Sequence, residues 1–142
     1  MRQRGFTLIE IMVVVVIIGV LATLILPRVL GRQDEAFIAK AKSDVSALSN
    51  ALKLYKLDSF HFPTTEQGID ALVTKPAGSP EPRNWKAGGY IERLPLDPWG
   101  NPYQYLFPGE HMEFDLWSFG ADSQPGGEDV GADIGNWNLD QR

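Results

Sequence analysis

The sequence predicts an α+β fold, a long N-terminal helix followed by a small domain with antiparallel strands. Three observations carry that expectation. Residues 6–26 are almost wholly apolar. An amphipathic helical stripe follows at Phe37, Ala41, Val45, Leu48, Leu52 and Tyr55, spaced by fours and threes. Two short aromatic-rich, β-prone runs come later, at 103–107 and 114–119, with Pro108 and Gly109 in their connection. Helices first and strands afterwards indicate segregated layers rather than alternating βαβ units.

Within 142 residues, roughly 115 remain outside the apolar segment, enough for one modest core. The net charge of −5 becomes −7 without Arg2 and Arg4 and argues against a nucleic-acid partner, which selects for clustered Lys and Arg. Cysteine is absent, so the fold uses neither disulfides nor thiolate metal sites.

The apolar run contains one ionised group in twenty-one positions, Glu10. As a helix, 6–26 would extend roughly 31 Å, about the thickness of a bilayer's hydrocarbon core. A cleavable secretory signal is disfavoured, because no small-residue cleavage pattern follows and the run ends Leu-Ile-Leu-Pro. A plain anchor explains the length but not Glu10, since a carboxylate in hydrocarbon costs ~2.5 kcal/mol or more and flags function. Charge bias does not orient the segment. Arg2 and Arg4 on one side face Arg28, Arg32, Lys40 and Lys42 on the other.

Pro27 closes the apolar run and removes a backbone donor, which predicts a kink or local break before the helix resumes. Thr64 or Thr65 followed by Gln67 resembles a helix N-cap and predicts a short helix over 66–74, stopping before Pro76. Three Pro and three Gly within 75–89 predict an irregular loop. In Asp97-Pro98-Trp99-Gly100-Asn101-Pro102 the turn chemistry is dense, and Trp99 is expected to plug the domain's edge without any catalytic role.

The tail is acidic. Asp122, Glu128, Asp129 and Asp133 fall within twelve residues, among Gly120, Gly126, Gly127 and Gly131. Ca²⁺ takes six to eight oxygens in a flexible shell, and such a segment can supply carboxylates and exposed carbonyls. The EF-hand pattern is missing. On the residues alone, a metal loop and ordinary surface Asx-turns are equally good readings. His61 and His111 stand isolated and read as single surface or core histidines. No nucleophile elbow, phosphate loop or paired-carboxylate motif points to an enzyme.

Two stretches carry a family resemblance. Arg4-Gly5-Phe6-Thr7-Leu8-Ile9-Glu10 resembles the leader of type IV pilins. That resemblance implies cleavage by a prepilin peptidase between Gly5 and Phe6, N-methylation of Phe6, and a Glu10 that neutralises the new ammonium, in its own helix or on a neighbour's. Leu94-Pro95-Leu96-Asp97-Pro98-Trp99-Gly100-Asn101-Pro102-Tyr103, with Ser118-Phe119-Gly120-Ala121-Asp122 and 126–137, narrows it. Together they resemble the major pseudopilins, the G subunits of type II secretion, nearly end to end. The resemblance implies a type IV pilin-like fold. It divides the chain into a leader at 1–5, a transmembrane and assembly helix at 6–27 including Pro27, and a periplasmic domain at 28–142. It also implies a single-pass inner-membrane subunit that is stored in the bilayer and polymerises into a periplasmic fibre driving export of folded proteins across the outer membrane. Its partners would be further copies of itself, minor pseudopilins, the peptidase/methyltransferase and an inner-membrane platform. In pseudopilins of this type the acidic loop binds calcium. The positions that match are Asp122 and Asp129 by side chain and Phe119 and Gln124 by carbonyl, with Glu128 and Asp133 weaker. Two alternatives remain, a type IV pilus subunit, disfavoured by the missing Cys pair, and a membrane-tethered periplasmic calcium-binding module.

Overall fold

In the computed structural model, residues 6–141 are described, with 24–30 described by backbone alone. Helix α1 runs Leu8–Ser59. Its start is capped by a reciprocal pair: the Glu10 N–H donates to Thr7 Oγ1 at 3.3 Å and the Thr7 N–H to Glu10 Oε2 at 3.4 Å. The Thr7-x-x-Glu10 spacing is a capping box legible in the sequence, so Glu10 has a local role in addition to any partner elsewhere.

Of the kink or local break expected at Pro27, the break does not occur: α1 passes through that position. Proline removes one i→i−4 donor, and the turns on either side supply the remaining hydrogen bonds. The Pro27 side chain, like Gly5, lies outside the described residues.

Two compact units divide the chain, Met1–Ala36 and Phe37–Arg142, with the division inside α1. In the first, Phe6, Leu8, Ile9 and the aliphatic residues from Ile11 to Leu21 are largely exposed. Among the described residues no helix is long and apolar enough to cross a membrane. The side-chain description stops at Thr23, short of the last residues of the apolar run.

In the second unit the predicted stripe is the core face of α1. Ala41 is fully buried; Val45, Leu52 and Tyr55, also fully buried, and Leu48, nearly so, pack in one cluster with Phe62, Leu72, Tyr103, Phe114 and Leu116. Phe37 is half-buried and meets the Trp99 ring edge-on at 6.0 Å, which gives Trp99 its place at the domain's edge. Three antiparallel strands follow in order: β1 (Gln104–Leu106), β2 (Asp115–Ser118) and β3 (Ile134–Gly135). Tyr105 pairs with Leu116, and Ser118 with Ile134. The first two lie within the predicted runs, each trimmed at its ends.

Two local expectations need correction. The helix expected over 66–74 is a 3₁₀ turn at Ile69–Leu72. Its capping box does form, with the Gln67 N–H donating to Thr64 Oγ1 and the Thr64 N–H to Gln67 Oε1, both at 3.1 Å, but it closes the turn before Gly68. Gly68, at φ 59°, then interrupts any α-helical continuation. The second missed element is β3, too short to display an alternating pattern.

The 75–89 segment forms no helix or strand, as expected. It is tied to the core by the Trp85 indole N–H, which donates to the Ala71 carbonyl at 2.9 Å. Because Leu116 is fully buried at the centre of the cluster, Leu116→Ala should leave a cavity and cost about 2–5 kcal/mol. Urea unfolding in detergent micelles checks this; a loss below about 1 kcal/mol would mean the site collapses around the truncation.

Candidate functional site

Several polar groups inside the domain serve turns and tethers. Tyr103 donates its hydroxyl to Asp44 at 2.9 Å and Tyr90 to Asp58 at 3.0 Å, fastening the later chain to α1. Burial pushes the Tyr103 hydroxyl up, with the neighbouring Asp44 adding to the shift, so it stays a neutral donor at any physiological pH. Asp44 in turn pairs with Lys40 one turn back.

Asp115 organises the β1–β2 connection. Its buried carboxylate accepts the backbone N–H groups of Glu110, His111 and Met112 and the His111 Nδ1–H at 2.9 Å. The His111 ring stacks on Trp137, centroids 4.1 Å apart and 8° from parallel, which fixes the C-terminal segment to the same loop. His111 is therefore not isolated but a packing and hydrogen-bonding residue. Burial raises the Asp115 carboxyl, yet the hydrogen bonds from the His111 side chain and from the three backbone amides outweigh it and leave it below its ordinary value.

The acidic tail folds as two 3₁₀ turns, Gly120–Asp122 and Asp129–Gly131, which pack together. Asp122 is exposed at the end of the first, and its Oδ1 accepts the Gln124 N–H at 3.0 Å. Phe119 immediately precedes this turn and is half-buried, while Gln124 follows it, exposed. Asp129 opens the second turn with a positive φ of 51°, a left-handed conformation that costs a non-glycine residue energy and is held by its surroundings. Glu128 caps the start of that turn with no side-chain hydrogen bond of its own.

Space beside the Asp122 carboxylate is kept by glycine. A Cβ on Gly131 would come within 2.9 Å of Asp122 Oδ2, and one on Gly127 within 2.2 Å of the Gly131 carbonyl. Asp133 Oδ2 accepts the Gly126 N–H, while its Oδ1 is buried with no hydrogen-bond partner. A buried acceptor left unpaired carries a penalty unless a ligand or water meets it. Among the described residues no three acidic, His or Cys side chains converge on one point. A cation here would take most of its shell from backbone carbonyls, a donor set that suits a hard ion with flexible coordination such as Ca²⁺. Asp133, a weaker candidate by sequence, is the residue whose geometry asks most plainly for a ligand. Its missing partner follows from tertiary burial, which no sequence pattern reports.

Comparison with known proteins bears on the whole chain. Residues 28–137 match the family model described as type II secretion system, protein G, and residues 1–26 match the prokaryotic N-terminal methylation motif. The chain is 59% identical to type II secretion system core protein G of Pseudomonas aeruginosa, over 96% of either chain. It is 59% identical to the protein of that description from Vibrio cholerae, over 97% of this chain and 94% of the relative. Among solved structures, a crystal structure of the major pseudopilin of enterohaemorrhagic Escherichia coli superposes with a TM-score of 0.69 at 50% identity. That match covers 77% of this chain and 93% of the other.

Because its hydrogen bonds depress Asp115, the stability they contribute is complete above about pH 4 and is lost as pH falls through the folded value. Asp115→Asn should destabilise the domain at pH 7 by about 1–3 kcal/mol, and the gap from wild type should close below about pH 4. Urea midpoints across pH 2–8 check the sign; a gap that persists at pH 2 would remove the charge from the explanation.

Proposed function

The chain belongs to the type II secretion system protein G family, the major pseudopilins, and we propose that it works without catalysis, as a mechanical subunit. It is a type II secretion pseudopilus subunit with a prepilin-type methylation motif, a membrane-anchored protein of the cell envelope that assembles with other secretion components. What carries the finer reading is the contrast between the two units. Phe37–Arg142 has a closed core, whereas in the other unit the apolar residues of 6–21 are largely exposed.

In the mechanism, cleavage after Gly5 frees the Phe6 amine, which is methylated. The apolar helix holds the subunit in the inner membrane as a single pass with the domain in the periplasm. An assembly platform then moves it into the fibre, where helices of neighbouring copies and of minor pseudopilins bury against one another. Glu10 helps in two ways. It caps its own helix through Thr7, and its charge gives a neighbour's ammonium a partner in a medium of low dielectric. Fibre growth would push folded cargo toward the outer membrane. Pro27 sits where the apolar run ends and would tolerate bending between anchor and domain.

For the acidic loop the proposal is calcium held chiefly by Asp122 and Asp129 with carbonyls near Phe119 and Gln124, Asp133 and Glu128 being weaker candidates. The ion supplies positive charge that relieves carboxylate repulsion and orders the tail. The unpartnered Asp133 Oδ1 supports this reading. The alternative of a type IV pilus subunit draws no support from the family matched.

Two outcomes test this. Intact-mass analysis of membrane-extracted chain should give a polypeptide beginning at Phe6 and carrying one methyl group; retention of 1–5 in cells holding the peptidase would refute the leader assignment. In the same cells Glu10→Leu should insert at least as well as wild type but give no filaments, and normal filament yield would exclude Glu10 from assembly.

For calcium, chelation should lower the melting temperature of the chain in micelles. A free-ion concentration a hundred times the dissociation constant stabilises by about 2.7 kcal/mol. Asp122→Ala and Asp129→Ala should each melt as the chelated wild type does and ignore added calcium. Identical wild-type melting with calcium and with chelator would make these aspartates turn residues only.

A further inference from the structure

The structure assigns Asp97, far from the acidic loop in sequence, as the positioning residue for the turn that carries Asp122. Asp97 is 4% exposed and makes no ion pair among the described residues. Its Oδ1 accepts the backbone N–H groups of Trp99 at 3.1 Å and Asn101 at 2.8 Å, closing the Asp-Pro-Trp-Gly-Asn turn on itself. Its Oδ2 accepts the Ser118 hydroxyl at 2.6 Å. From there two arms reach the loop.

One arm passes through Ser118, fully buried at the end of β2. With its proton committed to Asp97, the Ser118 oxygen is free to accept the Gly120 N–H at 3.1 Å. Gly120 begins the 3₁₀ turn at φ 70°, where a Cβ would lie 2.8 Å from the carbonyls of Val130 and Ala132, so its backbone position is tightly defined. The other arm passes through Asn101, whose backbone N–H is held by Asp97 and whose side-chain amide donates to Ser123 Oγ at 2.8 Å. Ser123 closes the same turn in a left-handed conformation at φ 57°, which serine adopts only when held there. One buried carboxylate therefore pins the first and last residues of the segment between which Asp122 is displayed.

The consequence for cation binding rests on the calcium reading; the pinning rests on the hydrogen bonds alone. A loop already ordered at both ends loses less freedom when it closes on an ion, so its affinity is higher for unchanged ligands. Asn101→Ala removes one arm without touching any proposed ligand or the buried carboxylate. Losing one such hydrogen bond corresponds to about a tenfold change in affinity.

The experiment compares wild type, Asn101→Ala and Asp97→Asn, all as full chains in detergent micelles, by three measurements. These are calcium titration calorimetry, amide hydrogen exchange at Gln124 in chelator, and the urea midpoint in chelator. The Gln124 amide is the reporter because it donates to Asp122. For Asn101→Ala, calcium affinity should fall about tenfold and Gln124 exchange should accelerate, with the chelated urea midpoint nearly unchanged. A purely structural residue would move the midpoint and leave the affinity alone.

Unchanged exchange at Gln124 in Asn101→Ala overturns the inference, whatever calcium does. If wild type binds no calcium yet Asn101→Ala accelerates the exchange, the pinning stands and the calcium reading falls. Should Asp97→Asn fail to fold, Asn101→Ala decides the matter, since its altered side chain lies outside the core.

Discussion

The domain depends on one packed face. Val45, Leu48, Leu52 and Tyr55, successive turns of α1, bury essentially all their side-chain surface against Leu72, Tyr103, Phe114 and Leu116. With no cysteine in the chain, burial of this kind, at roughly 25 cal/mol per Å² of apolar surface, is the main force closing the fold. The sheet alone would not do it. Its strands hold three, four and two residues, too little ladder to stand without the helix behind it.

Around that face, polar groups perform the work that disulfides do in small disulfide-bonded domains. Tyrosine hydroxyls on Asp44 and Asp58 fasten the later chain to the helix, while Asp97 and Asp115 each gather several donors and hold a turn in shape. These are short-range devices, effective because each donor reaching a buried carboxylate would cost energy if left unpaired. The acidic tail is exposed from Ala121 to Asp129. Its order therefore rests on glycine-permitted turns, on links from neighbouring segments, and in the proposed mechanism on a bound cation.

Much of this was legible in the sequence. The α1 stripe could be read because a helix buries every third or fourth residue, β1 because aromatic and polar residues alternate there, and β2 because its run is aromatic and β-prone. The two-residue strand at Ile134–Gly135 could not, since its pairing is decided by Trp117 and Ser118 across the sheet. Local rules misled in two places. A sound capping box at Thr64 and Gln67 introduces only a 3₁₀ turn, and Pro27 does not interrupt the assigned helix. The acidic loop's residue types pointed to calcium or to Asx-turns equally. Only burial distinguishes Asp133, with an unpaired oxygen, from its exposed neighbours. The roles of Asp97 and Asp115 were hidden for a related reason, because their partners lie in backbone amides that carry no residue signature.

Function follows from the chain having one closed unit and one open one. The closed unit needs no partner to satisfy its core, whereas the exposed aliphatic helix can be covered only by lipid or by other helices. In the proposed function, storage in a bilayer and burial in a fibre are two solutions to one constraint, and exchange between them would be the mechanical step. Electron microscopy of cells expressing this chain together with a type II secretion machinery tests that claim most directly. Filaments decorated by antibody against the domain, and lost when the prepilin peptidase is absent, are the expected result. Processed, membrane-resident chain that never forms filaments would contradict it.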